Sequence, residues 1–275
     1  MIIRKFDPWK SRLCTCPEKY SVNPYTGCDH CCVYCYITGY IKDAFICRPK
    51  ENLIRRLKNE LKKIDKRMVV SMANSSDPYP RLERKLGLTR KVLELFVREN
   101  VRFQIVTKSD IVVRDIDLLR RSRCCVAVTV TTMDESVAKK LEPGAPPPGE
   151  RVEALKELKD ADIPVSVRID PVIPGLTDPL DVLDEVTFVD HVTASTLKLR
   201  PDAVKRMEKV FPEVTERLRL LCTERVGNAL YLPTEMREEL LGELKEKCEV
   251  YGISFGTCRE GMNSEKSCDG SHLTK

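Results

Sequence analysis

The chain has 275 residues, of which 42% are hydrophobic and 32% are charged, and its formal net charge is +5. This length allows one large core, and α/β barrels of similar length often form a single domain. No run of about 18 apolar residues is present, and residues 1–10 lack the apolar stretch of a secretory signal, which excludes a membrane-spanning helix. We therefore expect a compact, soluble, cytoplasmic protein.

Short strand-like runs alternate with helical patterns along the chain. The sequence predicts six strands, at 21–23, 68–72, 101–107, 125–130, 165–169 and 188–193. Helical patterns, with apolar residues three and four apart, lie at 52–66, 88–99, 114–121, 149–160, 179–186, 202–210, 213–225 and 234–250. The alternation predicts an α/β fold with a parallel sheet and right-handed crossovers, a partial (β/α)6 barrel of the TIM type. We expect the barrel and its N-terminal lead over residues 1–200. A helical cap with a cysteine-bearing tail would follow over 201–275, in the same folding unit.

Polar residues follow five successive predicted strands. The first is the cysteine-rich loop after strand one, and the others begin at Asn74, Lys108, Thr131 and Asp170. Because the carboxyl ends of parallel strands meet at one face of a barrel, this pattern predicts a shared cleft there.

The chain has thirteen cysteines, an odd count that makes a complete disulfide framework a poor explanation. Four of them lie in the segment GCDHCCVYCY, residues 27–36. A zinc site made of all four is disfavoured, because Cys31 and Cys32 are adjacent and zinc ligands usually form two separated pairs. Cys28, Cys32 and Cys35 instead have the spacing C-x3-C-x2-C, which can bind three irons of a 4Fe-4S cluster and leave the fourth iron open. Cys31 is then left over, as a buried thiol near the cluster.

This spacing resembles the signature of the radical S-adenosylmethionine (radical SAM) superfamily. Further segments resemble its spore photoproduct lyase-like branch, including the archaeal members: NPYTGC at 23–28, YCY at 34–36, SDPYP at 76–80, VTKS at 106–109, RD at 114–115, LEP at 141–143, PVIPG at 171–175 and TCRE at 257–260. The resemblance implies a 4Fe-4S cluster that binds S-adenosylmethionine and an electron donor such as ferredoxin or flavodoxin. Reductive cleavage of the cofactor would give a radical that abstracts hydrogen from the substrate.

The resemblance also implies roles for individual residues. Tyr34 would lie against the adenine, and Lys108 would meet the methionine carboxylate, where a cation is electrostatically favourable. The other implied cofactor contacts at strand ends are Ser76, Asp77, Thr129 and Arg168. Tyr36 matches a tyrosine linked to radical relay, although a purely packing role is also open. Asn74 replaces the lyase cysteine that returns hydrogen to thymine, and asparagine does not easily donate a hydrogen atom, so the lyase reaction is not expected.

A second group of cysteines stands near the two ends of the chain. Cys14 and Cys16 precede the first predicted strand, and Cys258 and Cys268 lie in the tail. Four soft ligands would suit an auxiliary iron-sulfur cluster or zinc, if the lead and the tail meet across one face of the barrel. The alternative is free thiols in a reducing cell.

Between Arg48 and Arg67 there are nine basic and three acidic residues. This segment suits a nucleic acid or another polyanionic substrate, although a solvated helix face is also open. The favoured function is a radical SAM enzyme acting on nucleic acid, in repair or modification. Two alternatives stay open: modification of a peptide or small metabolite with an auxiliary cluster, and a noncatalytic metal-stabilised nucleic-acid-binding protein. A single glutamine, Gln104, beside abundant Lys, Arg and Glu is typical of proteins from hot environments.

Overall fold

A computed structural model describes residues 1–6, 11–72 and 75–274. Its strands are β1 (Arg4–Lys5), β2 (Tyr20–Val22), β3 (Tyr25–Thr26), β4 (Arg48–Pro49), β5 (Val70–Met72), β6 (Arg102–Thr107), β7 (Arg123–Thr129), β8 (Val165–Val172), β9 (His191–Thr196), β10 (Glu224–Val226), β11 (Ala229–Tyr231) and β12 (Ser254–Thr257). Its α-helices are α1 (Leu53–Glu60), α2 (Glu83–Leu86), α3 (Leu88–Arg98), α4 (Ile116–Leu119), α5 (Glu135–Leu141), α6 (Pro148–Asp160), α7 (Pro179–Glu185), α8 (Pro201–Val210), α9 (Pro212–Leu221) and α10 (Thr234–Val250).

One eight-stranded sheet organises the fold, in the order β1-β2-β5-β6-β7-β8-β9-β12. Every neighbouring pair is parallel except β1 and β2, which are antiparallel. Helices connect successive parallel strands, as right-handed crossovers require. The predicted partial barrel of the α/β class is therefore confirmed.

The central strands are buried along most of their length because helices and barrel interior cover both faces, and apolar residues alternate in them with buried polar ones. All six residues of β9 are buried, and Val126, Val167 and Val192 are fully excluded from solvent on three adjacent strands. The helices contribute apolar stripes to this core. In α1, Leu53, Leu57 and the following Leu61 repeat every four residues and are buried.

The structure differs from the sequence prediction on both sides of residue 185. The helix predicted over 52–66 ends at Glu60, and α5 was not predicted. The last predicted barrel strand begins at His191 rather than 188. The helix predicted over 213–225 ends at Leu221, and residues 224–231 form the hairpin of β10 and β11, where Gly227 takes a left-handed conformation in the turn. The polar tail predicted from Gly256 begins inside β12 (Ser254–Thr257), a seventh parallel strand, which pairs with β9. Its four residues are too few for a period to stand out in the sequence. The helix predicted over 114–121 is a 3-10 turn at 110–115 followed by α4.

The tail from residue 265 fills the end of the barrel where the strands begin. The Gln104 side chain in β6 donates to the Asp269 carbonyl, the Cys125 thiol in β7 contacts the Gly270 carbonyl at 3.4 Å, and Arg102 donates to the Thr274 carbonyl at 2.6 Å. The opposite end, where the strands finish, is thereby left as the accessible mouth.

A second apolar cluster holds the C-terminal helices against that mouth. It consists of Val33, Leu141, Ile173, Leu197, Leu199, Met207, Leu218, Cys222 and Leu232. Because Val33 belongs to the cysteine-rich segment, packing of α8 and α9 also fixes that segment. None of the described helices is long and apolar enough to cross a bilayer.

Candidate active site

The cysteine-rich segment crosses the mouth of the barrel as a tightly packed loop. Gly27 has a φ of +76°, and a Cβ there would lie 2.3 Å from the Ile46 carbonyl oxygen, so only glycine fits. The Cys28 N–H donates to the Ala44 carbonyl at 2.8 Å. The loop therefore enters the site with its backbone fixed by residues 44–46.

Cys28, Cys32 and Cys35 come together in the loop. Cys32 is 7% exposed, and a charge on any one of the three thiols affects the others. Burial, more than any other cause, raises the pKa of all three above the ordinary thiol value. Three thiolates here therefore require a positive partner, which a bound metal centre would supply.

Cys31 has a different environment. Its φ is +55°, and its thiol donates to the Asp29 carbonyl at 3.4 Å, with Asp29 and Arg81 as its charged neighbours. It is half-buried, rather than buried as predicted. The left-handed backbone at Cys31 separates it from Cys32.

Residues of two helices hold the loop in place through hydrogen bonds to its backbone. From α8, Arg206 donates through Nε to the Val33 carbonyl at 3.0 Å and through Nη2 to the Cys35 carbonyl at 2.6 Å. At the end of α5, the Leu141 carbonyl accepts from the Val33 N–H at 2.9 Å. The guanidinium therefore satisfies two carbonyls beside the thiols and places a positive charge there.

Tyr34 is anchored by a buried carboxylate. Its hydroxyl donates to Glu142, which also accepts from Thr131 at 2.6 Å and pairs with Arg151. Burial would raise the pKa of Glu142, but the charges of Arg151 and then Lys108 outweigh it and hold that pKa well below the usual range. Glu142 is therefore ionised and fixes the tyrosine ring.

Lys108 stands between this carboxylate and the thiols. Its Nζ lies 3.4 Å from Glu142 Oε1 and 5.8 Å from the centre of the Tyr34 ring. Its charge lowers the pKa of both Cys32 and Cys35, against the larger effect of burial. Lys108, the cation predicted to contact the cofactor, thus lies near the predicted cluster ligands Cys32 and Cys35.

Asp77 joins the ends of β5 and β6. Its Oδ1 accepts from the Thr107 hydroxyl at 2.7 Å, and its Oδ2 accepts from the Lys108 N–H at 2.8 Å. The neighbouring Ser76 donates to the Tyr25 carbonyl at 2.9 Å. Both predicted cofactor contacts are thus hydrogen-bonded to protein and hold the loops that carry Lys108.

Arg168 and Thr129 lie in register on β8 and β7. Arg168 donates to Asp170 at 2.7 Å and is also hydrogen-bonded to the Cys258 thiol. Burial alone would raise the pKa of Asp170, but the charges of Arg168 and Lys198 lower it to about 2. The barrel interior therefore contains a fixed carboxylate beside two cations.

Tyr36 follows the last cysteine of the loop and is 37% exposed. Its ring lies 6.2 Å from that of Tyr40 and beneath the Arg200 guanidinium. Burial of its hydroxyl and then the charges of Tyr40, Cys35, Asp170 and Cys258 raise its pKa well above the ordinary value. Tyr36 is thus within electrostatic reach of both cysteine groups. Asn74, the other predicted catalytic residue, lies outside the described residues.

Sequence reasoning gave no role to three side chains that build this site. Glu142, Arg151 and Arg206 hold Tyr34 and the loop carbonyls. A signal for Glu142 was present, since LEP at 141–143 was among the resembling segments. Arg151 and Arg206 lie on helices, where an arginine is ordinarily exposed.

Two surface clefts lie apart from the thiols. A cleft of about 620 Å³ involves Arg67 and Arg102 at the closed end of the barrel. One of about 450 Å³ lies on the outer side of the cysteine loop, at His30 and Arg81. Neither cleft is lined by the three cysteines, so the size of a cleft does not identify the candidate active site.

The residues present fit a thiolate-bound cluster with an anionic ligand beside it. Across 1–6, 11–72 and 75–274, no three Cys, His, Asp or Glu side chains are grouped so as to hold a single ion. One buried and two half-buried thiols with two nearby cations suit a larger anionic cluster better than one ion.

Residues 22–186 match the model of the radical SAM superfamily, which covers more than half of the chain. The chain belongs to the radical SAM superfamily. Among relatives of this radical SAM protein, an uncharacterized protein of Methanocaldococcus jannaschii is 31% identical over 208 residues, covering 72% of this chain and 78% of the relative. A Pseudomonas phage M6 protein named radical SAM Nalpha-GlyT isomerase is 25% identical, covering 88% of this chain and 54% of the phage protein.

The solved structures most relevant to the fold include two kinds of radical SAM protein. A spore photoproduct lyase variant with bound S-adenosylmethionine and a dinucleoside spore photoproduct superposes with a TM-score of 0.65, at 16% identity, covering 84% of this chain and 74% of the lyase. Streptococcus suis SuiB bound to its precursor peptide SuiA gives a TM-score of 0.59, at 12% identity, covering 86% and 48%. At these identities the likeness shows the fold, which confirms the predicted radical SAM partial barrel.

Gly144 provides a test of how the loop is held. A Cβ at Gly144 would lie 2.0 Å from the Asp29 carbonyl oxygen, whereas one at Gly149 meets nothing within 4 Å. We expect Gly144→Ala to lower the free energy of unfolding by about 1–3 kcal/mol, because backbone atoms of the loop must move. Urea unfolding under anaerobic conditions measures this, with Gly149→Ala as the matched control. Equal stability of the two variants would contradict the close packing.

Proposed function

We propose that this radical SAM enzyme abstracts hydrogen from nucleic acid, in a repair or modification reaction other than spore photoproduct cleavage. We infer the substrate class from a basic face beside the barrel. This face is defined by the exposed residues Arg55, Arg56, Lys58, Lys62 and Lys63. The exclusion of spore photoproduct cleavage depends on Asn74, in place of a hydrogen-donating cysteine.

The basic face is created by the amphipathic pattern of α1. Its leucines are buried against the core, so its three cations are exposed, and Lys62 and Lys63 are exposed just beyond its C-terminal end. Within the part of the chain that the structure describes, no acidic side chain forms a salt bridge with these five residues. Uncompensated cations on one surface suit the regularly spaced phosphates of a nucleic acid.

Repulsion between cations near Lys50 also supports a phosphate-binding surface. Burial and then the charges of Arg4 and Arg56 lower the pKa of Lys50 from 10.5 to about 8. Three cations are therefore held together at some electrostatic cost, which a bound phosphate would relieve.

The cofactor residues are assigned from the resemblance and are supported by the site geometry. We propose Cys28, Cys32 and Cys35 as the cluster ligands, with Lys108 beside the carboxylate of S-adenosylmethionine and Tyr34 against its adenine. The bound cluster and cofactor supply the electron and the radical that abstracts hydrogen. The protein's own residues orient them: Glu142 holds Tyr34, and Asp77 holds the backbone at Lys108. Arg168, Thr129, Ser76 and Tyr36 complete the proposed wall of the site.

The cluster ligands are tested by Cys32→Ala. We expect loss of dithionite-dependent cleavage of S-adenosylmethionine after anaerobic reconstitution, because one of three thiolate ligands is removed. Dithionite replaces the ferredoxin- or flavodoxin-type donor that we expect in the cell. Cys31→Ala is the matched control, since the neighbouring thiol contacts Asp29 instead, and it should retain cleavage. Normal cleavage by the Cys32 variant would refute the assignment.

The substrate class is tested by reversing charge on the basic face. A variant with Arg55→Glu, Lys58→Glu and Lys62→Glu should bind mixed-sequence DNA and RNA about tenfold or more weakly at low salt, because phosphate contacts are lost. It should also lose nucleic-acid-stimulated formation of 5′-deoxyadenosine while retaining the basal cleavage of S-adenosylmethionine.

The matched control is the variant Lys85→Glu, Lys139→Glu, Lys205→Glu. These three lysines are exposed on three other helices, and their replacement gives the same change in net charge. Anaerobic turnover in heavy water then separates the substrate classes. Deuterium should enter the nucleic-acid fraction. Deuterium in a peptide fraction alone, or equal nucleic-acid binding by both charge variants, would overturn the proposal in favour of peptide modification.

Lys50 predicts a pH dependence of binding. With a pKa of about 8, its side chain is largely charged at pH 7 and largely neutral at pH 9, so binding should weaken as pH rises. The slope of log affinity against log salt for duplex DNA should become shallower by about 0.9 per lost contact. Fluorescence anisotropy at both pH values measures this. Lys50→Arg should remove the pH dependence, and an unchanged slope in the unmutated protein would contradict the role of Lys50.

A further inference from the structure

The two ends of the chain meet at the open seam of the partial barrel. β1 and β12 are the outer strands of the eight-stranded sheet, and the lead that carries Cys14 and Cys16 connects β1 to β2. Cys258 directly follows β12. A hydrogen bond of 3.0 Å from the Gly261 N–H to the Leu13 carbonyl joins the lead to the tail.

Four thiols converge at this seam. The Sγ atoms of Cys16 and Cys268 are 3.3 Å apart, and the Cys14 and Cys16 thiols are also hydrogen-bonded to each other. Cys258 is an electrostatic neighbour of the other three. The convergence joins segments about 250 residues apart in sequence, so it is a product of the tertiary fold rather than of local spacing.

The backbone around the thiols is packed as closely as at the cysteine loop of the active site. A Cβ at Gly256 would lie 2.7 Å from the Cys268 Cα, so glycine alone lets the tail approach β12. The Cys258 N–H donates to the Ala194 carbonyl at 2.9 Å, extending the β12 ladder by one residue. The sheet therefore sets the positions of Cys258 and Cys268.

Cations surround the group. Lys19 Nζ lies 3.8 Å from Cys16 Sγ and also pairs with Asp269, while Arg168 is hydrogen-bonded to Cys258. Lys198 Nζ donates to the Cys258 carbonyl at 3.2 Å. Buried thiolates need such compensation, which a bound metal cluster and the neighbouring cations supply together.

We propose that Cys14, Cys16, Cys258 and Cys268 bind a second iron-sulfur cluster, a 4Fe-4S centre with all four irons ligated by protein. The Cys16 and Cys268 Sγ atoms, 3.3 Å apart, would have to separate to ligate different irons, and the metal content measured below distinguishes a cluster from a single zinc ion. With every corner occupied by cysteine, this centre has no open iron for S-adenosylmethionine. It bridges the lead and the tail, and Tyr36 lies within electrostatic reach of both Cys35 and Cys258.

The test counts metal in variants that separate the two sites. After anaerobic reconstitution, the unmutated protein should contain about eight irons per chain, two four-iron clusters. The triple variant Cys28→Ala, Cys32→Ala, Cys35→Ala should retain about four irons, with matching sulfide and a 4Fe-4S electron paramagnetic resonance or Mössbauer signal, although it no longer cleaves S-adenosylmethionine.

The double variant Cys16→Ser, Cys268→Ser should lose about four irons relative to the unmutated protein, and Cys222→Ser, Cys248→Ser, which removes two buried thiols elsewhere, should lose none. An iron-free triple variant, or one that holds only zinc, would overturn the proposal. The triple variant gives this answer even where the double variant fails to fold. Since the triple variant tests the second site without the first, failure of the proposed function and failure of this inference are distinguishable.

Discussion

The active-site end of the barrel depends on one buried carboxylate. Glu142 is 1% exposed and connects the cysteine loop through Tyr34, β7 through the following Thr131, the start of α6 through Arg151, and the end of β6 through Lys108. Its ionised state is stable only because two cations and two hydroxyls surround it. Removing one member of such a buried charged group typically costs about 3–5 kcal/mol, since the remaining charge is left without a partner. The position of the thiols is therefore coupled to four separate elements.

This arrangement separates two electrostatic tasks. Glu142 is satisfied by Arg151 and Thr131, which leaves Lys108 as a less buried cation that faces both the carboxylate and the thiols. On the other side of the loop, Arg206 neutralises carbonyl dipoles and adds positive potential beside Cys35. The protein thus surrounds the proposed anionic cluster with cations that are already fixed by other partners, so little reorganisation is needed when a charge arrives.

A second consequence concerns the closure of an incomplete barrel. Seven parallel strands of the described chain do not close on themselves, and the seam between β12 and the β1-β2 pair carries the four terminal cysteines. The tail that closes the other end of the barrel is anchored by the buried pair of Lys19 and Asp269. Lead, tail and proposed second cluster would then replace the strand pairing that a closed barrel obtains from its own sheet. The mouth at the carboxyl ends of the strands is left open by this arrangement.

The sequence determined the class of fold and the chemical type of the site, because both depend on local patterns. Six parallel strands could be predicted from hydrophobic runs, and the spacing of Cys28, Cys32 and Cys35 was sufficient to indicate a cluster, since these ligands lie within one loop. Strand β12 and the β10-β11 hairpin could not be predicted, because segments of three or four residues carry no recognisable period, and β12 forms only by pairing with the distant β9.

Only the tertiary structure decided that Glu142 and Arg151 anchor Tyr34, that Ser76 and Asp77 are occupied by protein partners, and that Cys16 meets Cys268. Those contacts join residues that are remote in sequence, and their free energy comes from burial and charge pairing that exist only once the chain is folded.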